Sequence, residues 1–367
     1  MKTGFFGGAF DPFHNEHKQI VLSAINELRL DRIVVYPSFL PPHKHCSAPF
    51  DMRKKFVELS LSDIKNVIVD DIEKQRGKIN PSCEILPLLK EKYPSDEYYF
   101  IIGGDSMVNL KKWVNPKKVF ESMPIAVVDR ENVTESDEAI KNAEKEFNAE
   151  IVKLNYTGKE ASGSNVKAEI AFGEKPEEIN EKVYELIEST HLYGEYEAIA
   201  GKLKSSIPER TYSHAKRTVM YALKLNAKLG LEFDKVFIAA LLHDCAKHLH
   251  RDMEGIPKAV EHQFLGAEVA EKEYGITDSE ILDAIMYHTT GKPDMTKLGQ
   301  LVYCADMLEE GRVYDGVEEL RNAIEKDFRK GFVLCCNSSY NKLIADGRPV
   351  HPLTKECVEY YNSIDEK

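Results

Sequence analysis

The stretch KTGFFGGAFDPFHNEH, residues 2–17, decides the fold of the first half of the chain. Its apolar run Lys2–Phe6 predicts a buried strand, and the adjacent Gly7 and Gly8 predict a tight turn. The periodic pattern His17–Leu28 that follows predicts a helix. A strand, a glycine turn and a helix in this order are typical of an α/β fold with a parallel sheet.

Short apolar runs and helical patterns continue to alternate as far as residue 128. Parallel strands need crossover connections, which are usually helices, so this alternation predicts a parallel sheet with helices on both faces. The charged segment 131–150 predicts a solvated helix and a loop. The predicted strands are Lys2–Phe6, Ile33–Tyr36, Val67–Val69, Tyr98–Ile102 and Pro124–Val128.

The second half of the chain has almost no strand signal, and its helical patterns are separated by Gly or Pro. It therefore predicts an all-α domain. We expect one domain over 1–195 and a second over 206–367, with a loop at 193–206 between the breaks at Gly194 and Pro208. The predicted helices of the second domain are Thr211–Leu229, Lys235–His248, Gln263–Tyr274, Ser279–His288, Lys297–Glu309 and Val317–Phe328.

The composition excludes several classes of protein. Hydrophobic residues make up 43% of the 367 and charged residues 30%, which suits two folded cores and not a disordered chain. A net charge of −12 argues against nucleic-acid polymers and membranes as partners, and no apolar run in the sequence could span a bilayer. The seven cysteines include no C-x-x-C pair, so we expect reduced thiols and a cytoplasmic protein. Composition leaves open whether the chain forms a homodimer.

The glycine turn and the start of the first predicted helix form one candidate site. Glycines let backbone N–H groups approach an anion closely, and a helix N-terminus favours negative charge at the same place. His14 and His17 are three residues apart and share one face of the first helical turn. Two imidazoles beside backbone donors can hold a triphosphate and stabilise charge on a phosphorus under attack. An isolated H-x-x-H pair would be an ordinary polar surface, but this context favours a phosphate site.

These residues resemble the nucleotidyltransferases with an HxGH motif, and specifically the bacterial nicotinate-mononucleotide adenylyltransferases. Further segments match in family order, namely 41–44, 102–106, 110–113 and 162–167. The resemblance implies a Rossmann-like domain that transfers the adenylyl group of ATP to nicotinate mononucleotide with Mg²⁺. The implied catalytic residues are His14 and His17. The implied binding residues for ATP and the mononucleotide are Gly7, Gly8, Phe10, Lys44, Arg53, Gly103, Asp105, Trp113, Ser162, Ser164 and Lys167.

Three positions depart from the pattern of that family. Glu16 replaces the motif glycine, and its carboxylate would repel a bound triphosphate unless it points away or helps to hold magnesium. Lys167 replaces an arginine, so a bidentate donor becomes a point charge. The segment 77–82 lacks the Tyr-Thr pair common in the family. For Trp113, core packing and stacking on a pyridine ring are equally good interpretations. Asp105 can be interpreted as a helix N-cap, which is compatible with a binding role.

The second half carries histidines and aspartates on apolar helical stripes. His243 and Asp244 are adjacent on a predicted helix that is otherwise apolar, where burying them is costly unless a cation neutralises them. A divalent metal does so by taking an imidazole nitrogen and a carboxylate oxygen. One buried histidine is usually just a hydrogen-bonded core residue, but several such groups in one bundle predict a metal site. The candidate ligands are His214, His243, Asp244, His262, His288 and Asp306.

The order H…HD…D resembles the HD-domain metal phosphohydrolases. The flanking segments 288–291 and 305–312 are similar to those of the small bacterial enzymes that split diadenosine tetraphosphate symmetrically into two ADP. The resemblance implies that His262 and His288 serve a second metal or the phosphates. The implied ligands of the core metal, which is iron or another divalent ion, are His214, His243, Asp244 and Asp306.

The same resemblance implies roles for three cationic side chains. Lys247 would meet phosphate and, with Asp244, take part in catalysis. Arg217 and Arg312 are further phosphate candidates, although a favourable charge at a helix C-terminus explains Arg312 nearly as well. The whole chain is thus predicted to be bifunctional.

Two alternatives stay open for the second domain. It could be a nucleotide-sensing module that regulates the first domain, or a hydrolase of another nucleotide. A guanosine-tetraphosphate hydrolase would be expected to carry an acidic pair after His-Asp, where this chain has residues 245–248, Cys-Ala-Lys-His. A cyclic-dinucleotide phosphodiesterase of the HD-GYP kind would need a Gly-Tyr-Pro segment, which the sequence lacks.

Overall fold

The computed structural model describes residues 1–41, 45–130, 136–158 and 162–365. These residues divide into two compact units. The first unit comprises Met1–Glu169 and Lys175–Tyr193, and the second comprises Ile170–Glu174 and Gly194–Lys367.

A parallel six-stranded sheet forms the centre of the first unit, in the order β3-β2-β1-β4-β5-β6. The predicted fold class, a parallel α/β sheet followed by a helical domain, is confirmed. The strands are β1 Lys2–Gly8, β2 Arg32–Pro37, β3 Val67–Val69, β4 Glu97–Gly103, β5 Ile125–Arg130 and β6 Ile151–Gly158.

The edge strand β6 was not predicted. It pairs only with β5, and most of its side chains are exposed or half-buried, with Leu154 and Gly158 the buried positions. An edge strand of this kind lacks the continuous apolar run of a central parallel strand. Periodicity alone therefore gave no signal over residues 151–158.

Helices connect the strands of the first unit and cover both faces of its sheet. One cluster of buried residues packs Phe5, Phe100 and Ile125 of the strands against Leu86 and Leu89 of α4. A 3-10 turn spans Leu110–Lys112. The helices are α1 Asn15–Leu28, α2 Phe50–Ser60, α3 Ile72–Arg76, α4 Ser82–Lys92, α5 Gly104–Val108, α6 Pro116–Ser122, α7 Ser136–Phe147, α8 Gly163–Ala171 and α9 Glu181–Thr190.

The strand order positions the first candidate site. Strand β1 lies between β2 and β4, so the chain reverses its direction of winding there, and ligands of such sheets bind at the carboxyl ends of the strands beside that point. The carboxyl end of β1 is tightly packed: a Cβ on Gly7 would lie 2.6 Å from the Tyr36 ring. Only glycine fits there, which lets the chain turn directly into the loop before α1.

The second unit is helical, as predicted. Helix α12 is apolar on nearly all sides and packs against α11, α14 and α15. Helix α11 ends at Leu229, and the next residue, Gly230, forms a left-handed C-cap with a positive φ of 70°. The helices are α10 Gly194–Ser206, α11 Glu209–Leu229, α12 Phe233–Leu242, α13 Lys258–Tyr274, α14 Ser279–Met286, α15 Lys297–Leu308, α16 Val317–Lys326, α17 Phe328–Ala345 and α18 Pro352–Asp365.

The predicted loop at 193–206 is wrong, because this segment contains α10. Gly194 and Pro208 bound a helix whose Tyr196, Ala200 and Leu203 are buried at helical spacing. The Tyr196 ring packs edge-on against Phe233, with the centroids 5.2 Å apart. Helix α10 therefore contributes to the core of the second unit.

Helices α12 and α14 end earlier than the sequence predicts, which changes the setting of three candidate ligands. Helix α12 stops at Leu242 and α14 at Met286, so His243, Asp244 and His288 follow helix ends instead of lying within helices. The His243 imidazole donates from Nδ1 to the Ala240 carbonyl at 2.7 Å. This bond ties the imidazole to the last turn of α12.

Of the helices in the described ranges, none is both long and apolar enough to cross a membrane. The seven cysteines all lie in those ranges and form no disulfide.

Candidate functional site

His14 and His17 lie together at the N-terminus of α1. His14 is the buried N-cap residue, and the two rings stack with their centroids 3.7 Å apart. The backbone N–H of His14 donates to Nδ1 of His17 at 3.2 Å. A nitrogen that accepts a hydrogen bond carries no proton, so neutral His17 has its proton on Nε2. His17 can therefore donate to an anion beside the helix N-terminus.

A second helix N-terminus approaches the same loop. A Cβ on Gly163, the first residue of α8, would lie 2.6 Å from the backbone oxygen of Asp11. The Ser162 hydroxyl caps α8 by accepting from the backbone N–H groups of Ser164 and Asn165 at 3.1 and 3.4 Å. The first unit thus brings α1 and α8 to one place, with positive dipole ends suited to phosphate.

Lys167 has an internal carboxylate partner in this structure. Its ammonium lies 3.2 Å from Asp11 Oδ2 and 3.0 Å from the Ser47 hydroxyl, and both charged side chains are essentially fully buried. Asp11 also accepts from the backbone N–H groups of Ser47 and Ala48 and from the Tyr193 hydroxyl. Burial would raise the pKa of Asp11, but Lys167, Tyr193 and Ser47 hold it below its usual range. Asp11 is therefore charged and joins three separate segments.

Arg53 is also buried, and it holds loops of the first unit together. Its guanidinium donates to the backbone carbonyls of Ala9, Ser38, Phe39 and Ala48 at 2.7 to 3.2 Å. These bonds join the loops that follow β1 and β2. The predicted binding role of Arg53 stays a prediction, since its described donors serve the protein itself.

Glu73 lies close to Arg53 and is not among the residues predicted from the sequence. Its carboxylate is buried and accepts from the Phe39 N–H at 2.9 Å. Burial raises the pKa of Glu73 to about 7, against the opposing effects of Phe39 and Arg53. A glutamate that titrates near neutrality had no signal in the sequence, because its burial depends on the packing of α3 against β2.

Glu16 points its carboxylate at the edge strand. The Tyr156 hydroxyl on β6 donates to Glu16 Oε2 at 2.6 Å. The sequence could not show this contact, since β6 itself was not predicted.

The remaining predicted residues of the first unit lie along the same edge of the sheet or just beyond it. Phe10 is buried against the His17 ring, and Gly8 packs against Phe10. Gly103 ends β4, and Asp105 is exposed in the first turn of α5, one residue past the helix start. Trp113 is half-buried and stacks on Phe120 at 6.3 Å, as a packing role requires. Lys44 lies outside the described residues.

The second unit gathers its predicted ligands from five helices or helix ends. Their nitrogens and oxygens lie in the interior, where the charged residues of most proteins are rare. His214 is on α11, His243 and Asp244 follow α12, His262 is on α13, His288 follows α14, and Asp306 is on α15.

These ligand atoms form two adjoining groups that share Asp244. In one group, His214 Nε2 lies 2.8 Å from Asp306 Oδ1, 3.2 Å from His243 Nε2 and 3.8 Å from Asp244 Oδ2. In the other, Asp244 Oδ1 lies 3.3 Å from His262 Nε2 and 3.4 Å from His288 Nε2. Ligands about 2.1 Å from one ion are about 3 to 3.5 Å from each other, so both groups have suitable spacing for a metal.

The positions of the imidazole protons favour a cation between His214 and His243, in the first group. His214, His243 and His288 each direct Nδ1 at an acceptor: the Glu309 carboxylate, the Ala240 carbonyl and the Ile285 carbonyl, respectively. These acceptors require the proton on Nδ1, which leaves a lone pair on Nε2 in the neutral ring. The Nε2 atoms of His214 and His243 are 3.2 Å apart, and two lone pairs at that distance repel unless a cation lies between them, so this donor set fits a divalent metal.

The charges of this cluster agree with the same conclusion. Burial would raise the pKa values of Asp244 and Asp306, but the surrounding histidines hold both well below the usual range. Burial lowers the pKa of His288 to about 4, so this imidazole is neutral at pH 7. Burial would lower the pKa of His243, but Asp244 and Asp306 raise it, so the two carboxylates favour a positive charge here, which a bound cation would supply. Charged carboxylates and a neutral imidazole, such as that of His288, are the forms in which these groups bind metals.

Three half-exposed cations surround the cluster. The Lys247 ammonium lies 3.2 Å from Asp244 Oδ1 and 3.1 Å from His262 Nε2. The Arg312 guanidinium bonds the backbone oxygen of Asp306 at 2.8 Å and also its carboxylate. Arg217 instead pairs with Glu309, at 2.6 Å from Nε to Oε2.

Two residues that support the cluster, Gln263 and Glu309, were not predicted from the sequence. Gln263, beside His262, accepts from the backbone N–H groups of Thr289 and Thr290 through Oε1 at 3.0 and 3.1 Å. Glu309 lies one helical turn after Asp306 and contacts His214. The spacing of three residues was a usable signal for Glu309, whereas Gln263 could be recognised only from the fold.

Comparison with known proteins agrees with this division into two units. The family model Cytidylyltransferase-like matches residues 5–169, and the HD domain model matches residues 211–311. The fold and sites therefore define a nucleotidyltransferase-like α/β unit followed by an HD unit.

Relatives extend over both units. A Mycoplasma genitalium protein, "Probable nicotinate-nucleotide adenylyltransferase/Ap4A hydrolase", is 25% identical over 330 residues, covering 85% of this chain and 88% of that protein. A Clostridium tetani "Probable nicotinate-nucleotide adenylyltransferase" is 31% identical, covering 52% of this chain and 98% of its own length. A Staphylococcus aureus "Bis(5'-nucleosyl)-tetraphosphatase, symmetrical" is 32% identical, covering 45% and 93%. The chain thus belongs to two enzyme families, the nicotinate-nucleotide adenylyltransferases in its first unit and the symmetrical bis(5'-nucleosyl)-tetraphosphatases in its second.

Proposed function

We propose that the first unit transfers the adenylyl group of ATP to nicotinate mononucleotide, and that the second unit hydrolyses diadenosine tetraphosphate to two ADP. The names of the relatives suggest the substrates. The observation that carries the proposal is the pair of adjoining His/Asp groups in the second unit, because their imidazole nitrogens and carboxylate oxygens converge at the spacing of metal ligands.

In the first unit, the proposed chemistry is positioning and charge stabilisation around ATP. His17 would donate its Nε2 proton to a phosphoryl oxygen, and His14 would lie beside it at the N-terminus of α1. The N-terminus of α8, with Ser162 and Ser164, would approach the same phosphates. The phosphate of nicotinate mononucleotide then attacks the α-phosphorus, pyrophosphate leaves, and Mg²⁺ enters with ATP.

In the second unit, His214, His243, Asp244 and Asp306 would hold one divalent cation, and Asp244, His262 and His288 would serve a second cation or the phosphates. Such a cation supplies Lewis acidity that polarises phosphoryl oxygens and lowers the pKa of water. Lys247 and Arg312, which lie beside the ligands and are half-exposed, would orient the polyphosphate chain. Iron is the predicted metal, and the nitrogen and oxygen donors also suit other first-row ions.

The experiment combines elemental analysis of the purified chain with a nucleotide-hydrolysis panel. We expect a bound transition metal and turnover of diadenosine tetraphosphate. Asp244→Ala should lose the bound metal and the hydrolysis of diadenosine tetraphosphate but keep adenylyl transfer. His17→Ala should lose adenylyl transfer but keep the metal and the hydrolysis. Asp252→Ala, at an exposed position, should keep both activities and the metal. Asp244→Ala with full metal content and hydrolysis would contradict the ligand assignment.

The same panel separates the two alternatives. A metal-replete wild type that binds nucleotides without turning them over would favour a sensing module. Preferred turnover of a different nucleotide would favour another hydrolase.

The domain limits and cellular context complete the proposal. We place the division between Tyr193 and Gly194, so that α10 stays with the second unit. A cytoplasmic location suits seven cysteines without a disulfide and ATP as a substrate. A homodimer stays a prediction.

A further inference from the structure

Glu309 is a buried carboxylate beside the proposed metal ligands, only 1% exposed. One of its oxygens, Oε1, accepts from His214 Nδ1 at 3.0 Å and from Arg217 Nη2 at 3.2 Å. The other, Oε2, accepts from Arg217 Nε and from the Gly311 backbone N–H, both at 2.6 Å. Each oxygen of this buried carboxylate therefore accepts two hydrogen bonds.

This arrangement determines how the His214 ring presents itself. The Glu309 carboxylate can only accept, so the proton of neutral His214 lies on Nδ1. The opposite nitrogen, Nε2, then has its lone pair directed at the cluster, 2.8 Å from Asp306 Oδ1. His243 and His288 are oriented by neutral backbone carbonyls, whereas a charged carboxylate orients His214.

The Arg217 contacts change what that residue can do. Its guanidinium makes two bonds to Glu309, in the parallel geometry that arginine forms with a carboxylate. A Cβ on Gly311 would lie 2.5 Å from Arg217 Nε, so the guanidinium is also closely packed against the chain after α15. Arg217 is thus engaged away from the ligand atoms.

We infer that Glu309 is a positioning residue of the metal site: it holds His214 in the tautomer and ring orientation that offer Nε2 to a divalent cation. Arg217 neutralises and orients Glu309. This inference rests on the proposed metal site of the second unit. A carboxylate partner also increases the basicity of an imidazole ligand, and losing such a partner typically lowers metal affinity about 10- to 100-fold.

The test is a titration of the full-length, chelator-treated protein with Co²⁺ alone, followed by calorimetry and by visible absorption. Glu309→Gln keeps the shape and one acceptor for His214, and we expect about tenfold weaker Co²⁺ binding. Glu309→Ala should weaken it about 100-fold, and Arg217→Met by a smaller factor than Glu309→Ala. The matched control is Glu310→Gln, an exposed neighbour, which should bind like the wild type.

Hydrolysis of diadenosine tetraphosphate provides a second measurement. At saturating Co²⁺, Glu309→Gln should have most of the wild-type kcat, because the substitution weakens metal binding and does not alter the contacts to the phosphates. If Glu309 were only a packing ion pair, Glu309→Gln would lower thermal stability and leave Co²⁺ affinity unchanged, which overturns the inference. Should Glu309→Ala fail to fold, Glu309→Gln alone decides. A wild type that neither binds Co²⁺ nor hydrolyses nucleotides would instead refute the proposed function itself.

Discussion

The buried pair of Asp11 and Lys167 allows a quantitative test of what Lys167 does. Removing one partner of a buried ion pair costs about 3–5 kcal/mol, because the other charge stays buried. Lys167→Met leaves Asp11 with three neutral donors, so we expect a loss of about 2–3 kcal/mol. Asp11→Asn also disturbs the bonds from the backbone N–H groups of Ser47 and Ala48 and leaves the Lys167 charge buried, so we expect a loss of about 4 kcal/mol.

The double variant should lose less than the sum of the two, by about 2 kcal/mol, because the broken contact is shared. The assay is urea unfolding of the full chain followed by tryptophan fluorescence. Trp113 is the single tryptophan of the sequence and packs on Phe120 in the first unit, so its signal reports that unit alone. The apparent KM for ATP in adenylyl transfer is measured in parallel.

Two results would refute the reasoning. Losses that add within about 0.5 kcal/mol would show that Asp11 and Lys167 are not coupled. A large rise in KM for ATP in Lys167→Met with unchanged stability would instead support the phosphate-binding role predicted from the sequence. Acid unfolding should also differ between the proteins. The ionised Asp11 stabilises the folded state above the pKa it has in the unfolded chain, and this contribution is lost as pH falls through its lower pKa in the folded state. Because Lys167 helps to lower that pKa, Lys167→Met should unfold at a higher pH than the wild type.

Three further predictions concern Glu16, Glu73 and α10. Glu16→Gln keeps an acceptor for the Tyr156 hydroxyl and removes a negative charge from the first turn of α1, whose N-terminus would face the phosphates. The KM for ATP should therefore fall up to about tenfold, most at low Mg²⁺. Burial raises the pKa of Glu73 to about 7, so its contribution to stability is complete below about pH 4 and is lost as pH rises through 7. Glu73→Gln should therefore stabilise the first unit at pH 8, by up to about 3 kcal/mol, and not at pH 5. A fragment that starts at residue 207 loses the Tyr196 ring and should melt with at least about 3 kcal/mol less stability than one that starts at 194.

Each of these has a control and a contrary result. Tyr156→Phe keeps the charge of Glu16, so an equal fall in the KM for ATP in that variant would show that the charge is not the cause. The exposed Glu91→Gln should have no pH-dependent effect, and a Glu73→Gln gain that is equal at pH 5 and 8 would contradict burial of the charge. Equal melting of the two fragments would mean that α10 is not part of the second core.

The local sequence determines the first α/β crossover and the identity of the candidate metal ligands. The strand–glycine–helix order around Gly7 predicts the first α/β crossover, because backbone conformation and hydrophobic period act over a few residues. The predicted metal ligands could be named one by one, because charged groups on apolar stripes, such as Asp306 on α15, are costly to bury without a partner.

Only the tertiary structure decided which partner each of these groups has. Lys167 is far along the chain from Asp11, and His214 is far from Glu309, so their pairing depends on helix packing that no local pattern records. The same holds for β6, whose pairing with β5 brings Tyr156 to Glu16. Sequence thus determines which side chains can do the chemistry, whereas folding decides which of them are committed to the protein itself, because burial, charge and orientation depend on contacts between distant residues.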